Sequence, residues 1–263
     1  MQLLFRYKYW LILAGILGGV LVMDDYKSPA KPSYAASKTA QHVNPQPAYP
    51  PVSIRPGIQR INTNKAADQG DAWAQANLGT AYFLGQGIAK NEAEAVRWYR
   101  KSADQGNAMG QNYLGMAYAN GEGVAKDETE AVRWYRKAAD QGDAWAQANL
   151  GNAFFNGRGV VKDEAEAVGW YRKAADQGDA DAQLKLGDSY NQGRGVTIDE
   201  AKATQWYRKA ADQGNVKAQF NLGWAYENGE GIAKNKLEAA KWYRKAAEQG
   251  YADAKTALKR LGK

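Results

Sequence analysis

The chain of 263 residues contains no cysteine and only one histidine, His42. The missing cysteines exclude disulfide bonds, thiolate metal ligands, a cysteine nucleophile and lipid attachment to an N-terminal cysteine. The single histidine lies in a proline-rich stretch, so the rest of the chain cannot build a histidine metal site or a Ser-His-Asp triad. We expect no catalytic residue, no cofactor and no metal.

Proline is absent from most of the chain, because all seven prolines lie between Pro29 and Pro56. Their neighbours are Ser, Ala, Lys, Tyr and Gln, a composition typical of extended, polyproline-like spacers. We predict that residues 24–60 form a disordered, Pro-rich linker. The remaining sequence has no proline to interrupt a helix.

One long hydrophobic run stands at the N-terminus, from Tyr9 to Met23, with Arg6 before it and Asp24 after it. This charge order predicts export, with the rest of the chain outside the cytoplasm. Residues 1–23 are predicted to be a signal peptide or a signal anchor, and both alternatives stay open because the run is shorter than the about 20 residues of a spanning helix. The repeats are expected outside the cytoplasm, either released or anchored in the membrane. Membrane contact is expected only through residues 1–23.

The formal net charge of +7 is unevenly distributed. Residues 1–57 hold six Lys or Arg and two Asp, which leaves 29 basic and 26 acidic residues in the remainder. There the two signs are interleaved, and no basic stripe forms the electrostatic footprint that nucleic-acid binding requires. We expect no nucleic-acid partner.

A 36-residue unit repeats five times without insertion or deletion. The dipeptides Leu-Gly, Trp-Tyr and Gln-Gly recur at this interval, for example at Leu78-Gly79, Trp98-Tyr99 and Gln105-Gly106. A fixed period of this length is typical of solenoids, in which each unit buries its apolar face against its neighbours. The predicted solenoid spans residues 61–263. Its repeats lie at about 71–106, 107–142, 143–178, 179–214 and 215–250, followed by a C-terminal cap at 251–263.

Each repeat carries the start and stop signals of two helices, here named helix A and helix B. In the first repeat, Asp71 and Asn91 are predicted N-caps, and Glu94 completes a capping box with Asn91, a pattern present in four of the five copies. Glycines follow each helix. The prediction is an all-α fold of helix-turn-helix units, in which the repeated tryptophans, Trp98, Trp134, Trp170, Trp206 and Trp242, are architectural.

These residues resemble the Sel1-like repeat. The resemblance is carried in the first copy by Ala74, Leu78, Gly79, Tyr82, Gly85, Gly87, Ile88, Asn91, Ala95, Trp98, Tyr99, Ser102, Ala103 and Gly106. It implies a right-handed superhelical solenoid of antiparallel helix pairs, similar to tetratricopeptide repeats. It also implies a non-enzymatic adaptor or scaffold that binds a partner protein or peptide. The location that it implies is the bacterial cell envelope, where the chain is expected to be periplasmic, anchored in the inner membrane or secreted. Some cysteine-rich members have been linked to β-lactam hydrolysis. A β-lactamase-like hydrolase is therefore a further alternative implied by the resemblance, although this chain lacks their cysteines.

Helix A carries two neighbouring stripes of residues. The stripe at positions 74, 78 and 81 barely changes between copies, whereas the stripe at positions 73, 77, 80 and 84 changes freely. If helix A lines the inner curve, as the resemblance implies, this stripe tiles the concave groove and binds the partner. The alternatives are packing against the neighbouring helix A, a solvated ion-pair row in the fourth copy, and recognition of a glycan or peptidoglycan fragment by the tryptophans. The predicted partner-binding residues are Trp73, Asn77, Thr80, Met109, Tyr113, Met116, Trp145, Asn149, Asn152, Asp181, Lys185, Asp188, Lys217, Asn221 and Trp224.

Overall fold

A computed structural model describes residues 58–262, and within that range it contains twelve α-helices and no strand. The predicted signal segment at residues 1–23 and most of the predicted linker lie outside the described residues. None of the twelve helices is long and apolar enough to cross a membrane. The helices are α1 Ile58–Asp68, α2 Ala72–Leu84, α3 Glu92–Asp104, α4 Ala108–Asn120, α5 Glu128–Asp140, α6 Ala144–Asn156, α7 Glu164–Asp176, α8 Ala180–Gln192, α9 Glu200–Asp212, α10 Val216–Asn228, α11 Lys236–Glu248 and α12 Ala252–Arg260.

Each 36-residue copy is one pair of helices. Helices α2, α4, α6, α8 and α10 are the five helices A, and α3, α5, α7, α9 and α11 are the five helices B. Each helix packs on the one before it and the one after it along the chain. The short connections make neighbours antiparallel. The all-α solenoid of helix pairs is therefore confirmed for the described residues. Helix α1 begins at Ile58, so residues 58–60 belong to this helix and not to the predicted linker.

The predicted N-caps form in every repeat. Of the two hydrogen bonds of a capping box, only the one accepted by the N-cap side chain is present. Asn91 Oδ1 accepts a hydrogen bond from the Glu94 N–H at 3.0 Å, as predicted. The Asn91 N–H, however, donates to the Tyr82 carbonyl of helix A at 2.9 Å. Glu94 pairs with Arg97 at 3.1 Å instead. The second half of the box is absent because the backbone of helix A already satisfies the N-cap N–H.

The repeated tyrosine of helix B occupies the space above the repeated glycine of helix A. Tyr171 is 1% exposed, and a Cβ added at Gly151 would lie 2.7 Å from its ring. Glycine at this site therefore allows the close approach that buries the ring. Beside it, Trp98, Trp134, Trp170 and Trp242 are buried, and Trp206 is half-buried. The prediction that these tryptophans are architectural is confirmed.

A chain of glutamine side chains links successive helices inside the solenoid, and sequence analysis had not identified it. Gln147 of α6 donates to the Ala139 carbonyl of α5 at 3.2 Å and accepts from Gln177, after α7, at 2.8 Å. Glutamines 36 residues apart repeat both contacts in all five copies. The side chain of Gln147 is 5% exposed. Satisfied polar groups of this kind fix the spacing between repeats.

We expect Gln147→Ala to lower the free energy of unfolding by about 1–3 kcal/mol, because it removes two hydrogen bonds of a buried side chain, one to the Ala139 carbonyl and one from Gln177. Gln205→Ala is the matched control, since Gln205 is exposed on α9. The control should change stability by less than about 0.5 kcal/mol. Urea unfolding followed by circular dichroism measures both variants. Equal effects would contradict a stabilising role for the glutamine chain.

Candidate partner-binding surface

The predicted stripe contains accessible, half-buried and buried positions. Its first member in each helix A is exposed or half-buried, and Trp73 is 62% exposed. We call these five residues the first-turn row: Trp73, Met109, Trp145, Asp181 and Lys217. Because they stand near the N-terminal ends of α2, α4, α6, α8 and α10, one follows another from repeat to repeat. The half-buried members of the stripe beyond this row are Asn149, Asn152, Lys185, Asp188 and Trp224.

The interpretation that the whole stripe is free of packing is wrong at five positions. Asn77, Thr80, Tyr113, Met116 and Asn221 are all buried. The ring of Tyr113 packs 5.2 Å from that of Tyr99, on the helix B of the preceding repeat. These five residues are therefore packed, and the neighbour of Tyr113 is a helix B and not the neighbouring helix A of the alternative explanation. Their side chains are therefore not accessible to a partner.

We call the third stripe position of each repeat, which is Thr80, Met116, Asn152, Asp188 and Trp224, the packed row. Three of its members accept hydrogen bonds from tyrosines of helix B. The Tyr99 hydroxyl donates to Thr80 Oγ1 at 3.4 Å. In the third repeat, the Tyr171 hydroxyl donates to Asn152 Oδ1 at 2.9 Å. Each pair is 19 residues apart in sequence. The residue type at this stripe position varies between repeats because several side chains can accept the tyrosine hydrogen bond. Variation between copies was therefore not a sign of exposure at this position.

Asp188 is the carboxylate member of the packed row. It accepts from the Tyr207 hydroxyl at 2.9 Å and from Asn221 Nδ2 at 3.3 Å. Burial raises its pKa to about 6, although the Tyr207 hydrogen bond and the charges of Lys185 and Lys217 act in the opposite direction. Asp181, Lys185 and Asp188 form no ion pair in the described part of the chain. The predicted solvated ion-pair row is therefore wrong, because Asp188 is directed to a tyrosine.

We expect Asp188→Asn to stabilise the protein at neutral pH. The pKa of Asp188 in the folded chain is above its ordinary value, so the folded state keeps this proton to higher pH than the unfolded state does. The free energy of unfolding therefore falls as the pH rises from about 4 to about 6. Asparagine stays neutral and can accept the tyrosine hydrogen bond, as Asn152 does in the third repeat. The gain should be about 1–3 kcal/mol at pH 8 and near zero at pH 4.

Thermal and urea unfolding across this pH range test the prediction. Asp104→Asn, which removes an exposed carboxylate at the end of α3, is the control for charge alone. A gain that is the same at pH 4 and pH 8 would contradict the account.

Two of the three tryptophans of the stripe stay available to a partner. Trp73 is exposed and Trp145 is half-buried. Trp224 instead lies under Arg260 of α12, whose guanidinium carbon is 5.5 Å from the ring centroid. Arg260 is itself held by two hydrogen bonds to Glu227, at 2.6 and 3.0 Å. The aromatic surface open to a ligand is therefore at Trp73 and Trp145.

Three exposed aliphatic side chains were missed in the sequence. Val161, Ile198 and Leu237 are 86%, 60% and 67% exposed. They lie between helices A and B or at the start of helix B in three successive repeats. Comparison of the copies could have found them, because the matching positions elsewhere carry alanine, threonine or lysine. Within residues 58–262, no group of three or more acidic, histidine or cysteine side chains comes together as a metal site would require.

Comparison with known proteins identifies the repeat. The sequence profile of the Sel1 repeat matches five segments, residues 74–107, 108–143, 146–179, 180–215 and 216–251. No curated protein matches the chain by sequence.

Solved structures match over most of the chain. A protective antigen of uropathogenic Escherichia coli with an SLR fold, c5321, is 43% identical over 77% of this chain, with a TM-score of 0.71. This chain covers 44% of that protein. A Sel1 repeat protein from Oxalobacter formigenes is 34% identical, with a TM-score of 0.68, over 78% of this chain and 88% of that one. With five matched repeats, the chain belongs to the Sel1 repeat family.

Proposed function

We propose that this chain is a non-enzymatic scaffold that binds an extended segment of a partner protein along the first-turn row. Sel1 repeat proteins are generally protein-interaction scaffolds. The observation that carries the proposal is the exposure of Trp73, 62% of whose surface faces solvent on a helix whose other residues from Ala74 to Ala81 are buried. Large aromatic side chains are enriched among the residues that dominate binding energy at interfaces.

The arrangement of the first-turn row favours an extended segment over a compact ligand. The row places one accessible side chain per repeat, and the five side chains are aromatic, thioether, aromatic, acidic and basic. A chain running along the solenoid would meet apolar contacts at repeats 1 to 3 and charged contacts at repeats 4 and 5. This change from apolar to charged contacts fixes the register of the bound segment and contributes to specificity as well as affinity.

The proposal includes export of the repeats to the cell envelope. Its support is the N-terminal sequence, in which basic residues precede the hydrophobic run and Asp24 and Asp25 follow it. Whether residues 1–23 are cleaved or retained as an anchor does not alter the binding surface, because the first-turn row begins at Trp73. Protease added to spheroplasts should therefore degrade the repeats, and protection of the repeats until lysis would contradict export.

Capture of partners from envelope extract tests the binding surface. We expect the Trp73→Ala/Trp145→Ala variant to lose at least 90% of a partner that the parent chain captures, because each lost anchor weakens binding by about 2 kcal/mol or more. Tyr113 stays unchanged in the variant because its ring is buried. The control is Arg97→Ala/Arg133→Ala, which removes exposed side chains of two helices B. Loss with the arginine variant alone would place the site on helix B.

A further inference from the structure

The first-turn row borders a surface cavity that no part of the proposal above has used. Its volume is about 380 Å³, and Trp145, Asp179, Asp181, Gln213 and Asn215 line it. They come from α6, from the start of α8, and from the turn between α9 and α10. This volume is at the lower end of the range for ligand pockets, roughly 300–1,000 Å³, and it is enough for one long side chain.

The amide nitrogens of Gln213 and Asn215 already donate hydrogen bonds within the protein. The Gln213 amide nitrogen donates to the Gly178 carbonyl at 2.9 Å and to Gln183 Oε1 at 2.8 Å. The Asn215 amide nitrogen donates to Asp181 Oδ1 at 2.8 Å. The acceptors of the cavity are the Gln213 carbonyl oxygen and the carboxylate oxygens of Asp179 and Asp181. A ligand that complements them must donate hydrogen bonds.

The charge of the cavity is negative and has no counterion in the described part of the chain. Asp179 and Asp181 form no ion pair there, and no lysine or arginine lines the cavity. Asp179 accepts the Ala182 N–H at 2.7 Å as the N-cap of α8. Burial raises the pKa of Asp179, and the neighbouring charge of Asp181 adds to that effect. A bound cation would relieve both.

Trp145 provides the aromatic wall of the cavity. An aromatic ring beside carboxylates binds a guanidinium well, because this planar cation stacks on the ring and gives two parallel hydrogen bonds to a carboxylate. The ammonium group of lysine has the same charge, but it is not planar and cannot give two parallel hydrogen bonds to one carboxylate. The geometry points to a subsite for an arginine side chain of the partner's extended segment. This inference rests on the proposed function and specifies the partner residue that faces repeats 3 to 5.

Fluorine NMR of the full chain labelled with 5-fluorotryptophan tests the subsite directly. The chain has nine tryptophans, and the Trp145 resonance is assigned by its loss in Trp145→Phe. The probe is the blocked tripeptide acetyl-Ala-Arg-Ala-amide, and its counterpart carries citrulline, which keeps the shape of arginine and removes its charge. We expect the arginine peptide to shift the Trp145 resonance and the citrulline peptide to bind at least tenfold more weakly.

Two carboxylate variants locate the effect. Asp181→Asn should weaken the arginine peptide about tenfold, because it removes a charge-assisted hydrogen bond while asparagine still accepts from Asn215. Asp104→Asn, an equal change of charge on α3, should alter binding less than twofold. The inference is overturned if arginine and citrulline peptides bind equally, if the Trp145 resonance does not move, or if both variants weaken binding alike.

The two proposals fail separately. If the arginine peptide leaves Trp145 unchanged while partner capture still requires Trp73 and Trp145, only the arginine subsite is wrong. If the peptide binds at Trp145 as expected but capture does not depend on the first-turn row, the arginine subsite stands as a small-ligand site and the extended-segment proposal is wrong.

Discussion

Gly195→Ala is expected to lower the free energy of unfolding by about 4 kcal/mol or more, which would be among the largest effects of any single substitution in this chain. Gly195 has a φ of +71°, and a Cβ built on it would lie 2.1 Å from the carbonyl oxygen of Glu164. That oxygen belongs to the first residue of α7, in the preceding repeat. Because the clash is with backbone, no side-chain rotation can relieve it, and repeats 3 and 4 must separate or distort.

Gly178→Ala is the matched control. Gly178 also has a positive φ, +98°, but nothing lies within 4 Å of an added Cβ. Its substitution should lower the free energy of unfolding by only about 1–2 kcal/mol, the strain of placing alanine in a left-handed conformation. Urea unfolding with hydrogen exchange separates the two variants. In Gly195→Ala, amides of α8 to α11 should lose protection before those of α2 to α5, since a solenoid is held together repeat by repeat. Equal destabilisation by the two alanines would contradict the close contact between repeats.

The second large effect is expected for Tyr171→Ala. The side chain is 1% exposed, and truncation of a buried aromatic ring typically costs about 3–5 kcal/mol. Part of that cost comes from the hydroxyl, which donates to Asn152 at 2.9 Å. Tyr171→Phe isolates this part, and we expect it to cost about 1 kcal/mol.

The second repeat offers the control for that hydrogen bond. Tyr135 is the counterpart of Tyr171, but the residue 19 positions before it, which matches Asn152, is Met116, whose thioether is only a weak acceptor. Tyr135→Phe should therefore change the free energy of unfolding by less than about 0.5 kcal/mol. If both phenylalanine variants lose the same stability, the packed row does not hold the tyrosines as described.

The order of the helices could be predicted from the sequence because their signals are local. Asp143 precedes α6, and its side chain accepts the Ala146 N–H at 2.7 Å, which is the contact expected of an N-cap. Repetition of such signals at one period fixes the solenoid. The glutamine chain was not predicted, because its contacts join residues 8 and 30 positions apart, and only the spacing of packed helices brings them together.

The candidate site could be predicted only in part, for a related reason. Variation between copies identified the helix A face that contains Trp73 and Trp145, but it did not separate exposed from packed positions. Asn152 and Thr80 vary because different side chains can accept from a tyrosine of helix B, a contact that depends on tertiary packing. The cover of Arg260 over Trp224 likewise depends on how α12 packs, and no local pattern encodes it.

Site-specific photocrosslinking in living cells tests the central claim most directly. A photoreactive phenylalanine is placed in the full chain at Trp73, Met109, Trp145 or Lys217. The control position is Arg133, which is exposed on α5. The account predicts that the four first-turn sites crosslink to one partner protein, and that the attached peptides follow its sequence in order along the repeats. Crosslinks from Arg133 alone, or crosslinks from the row to no protein at all, would contradict a scaffold that holds an extended segment along this surface.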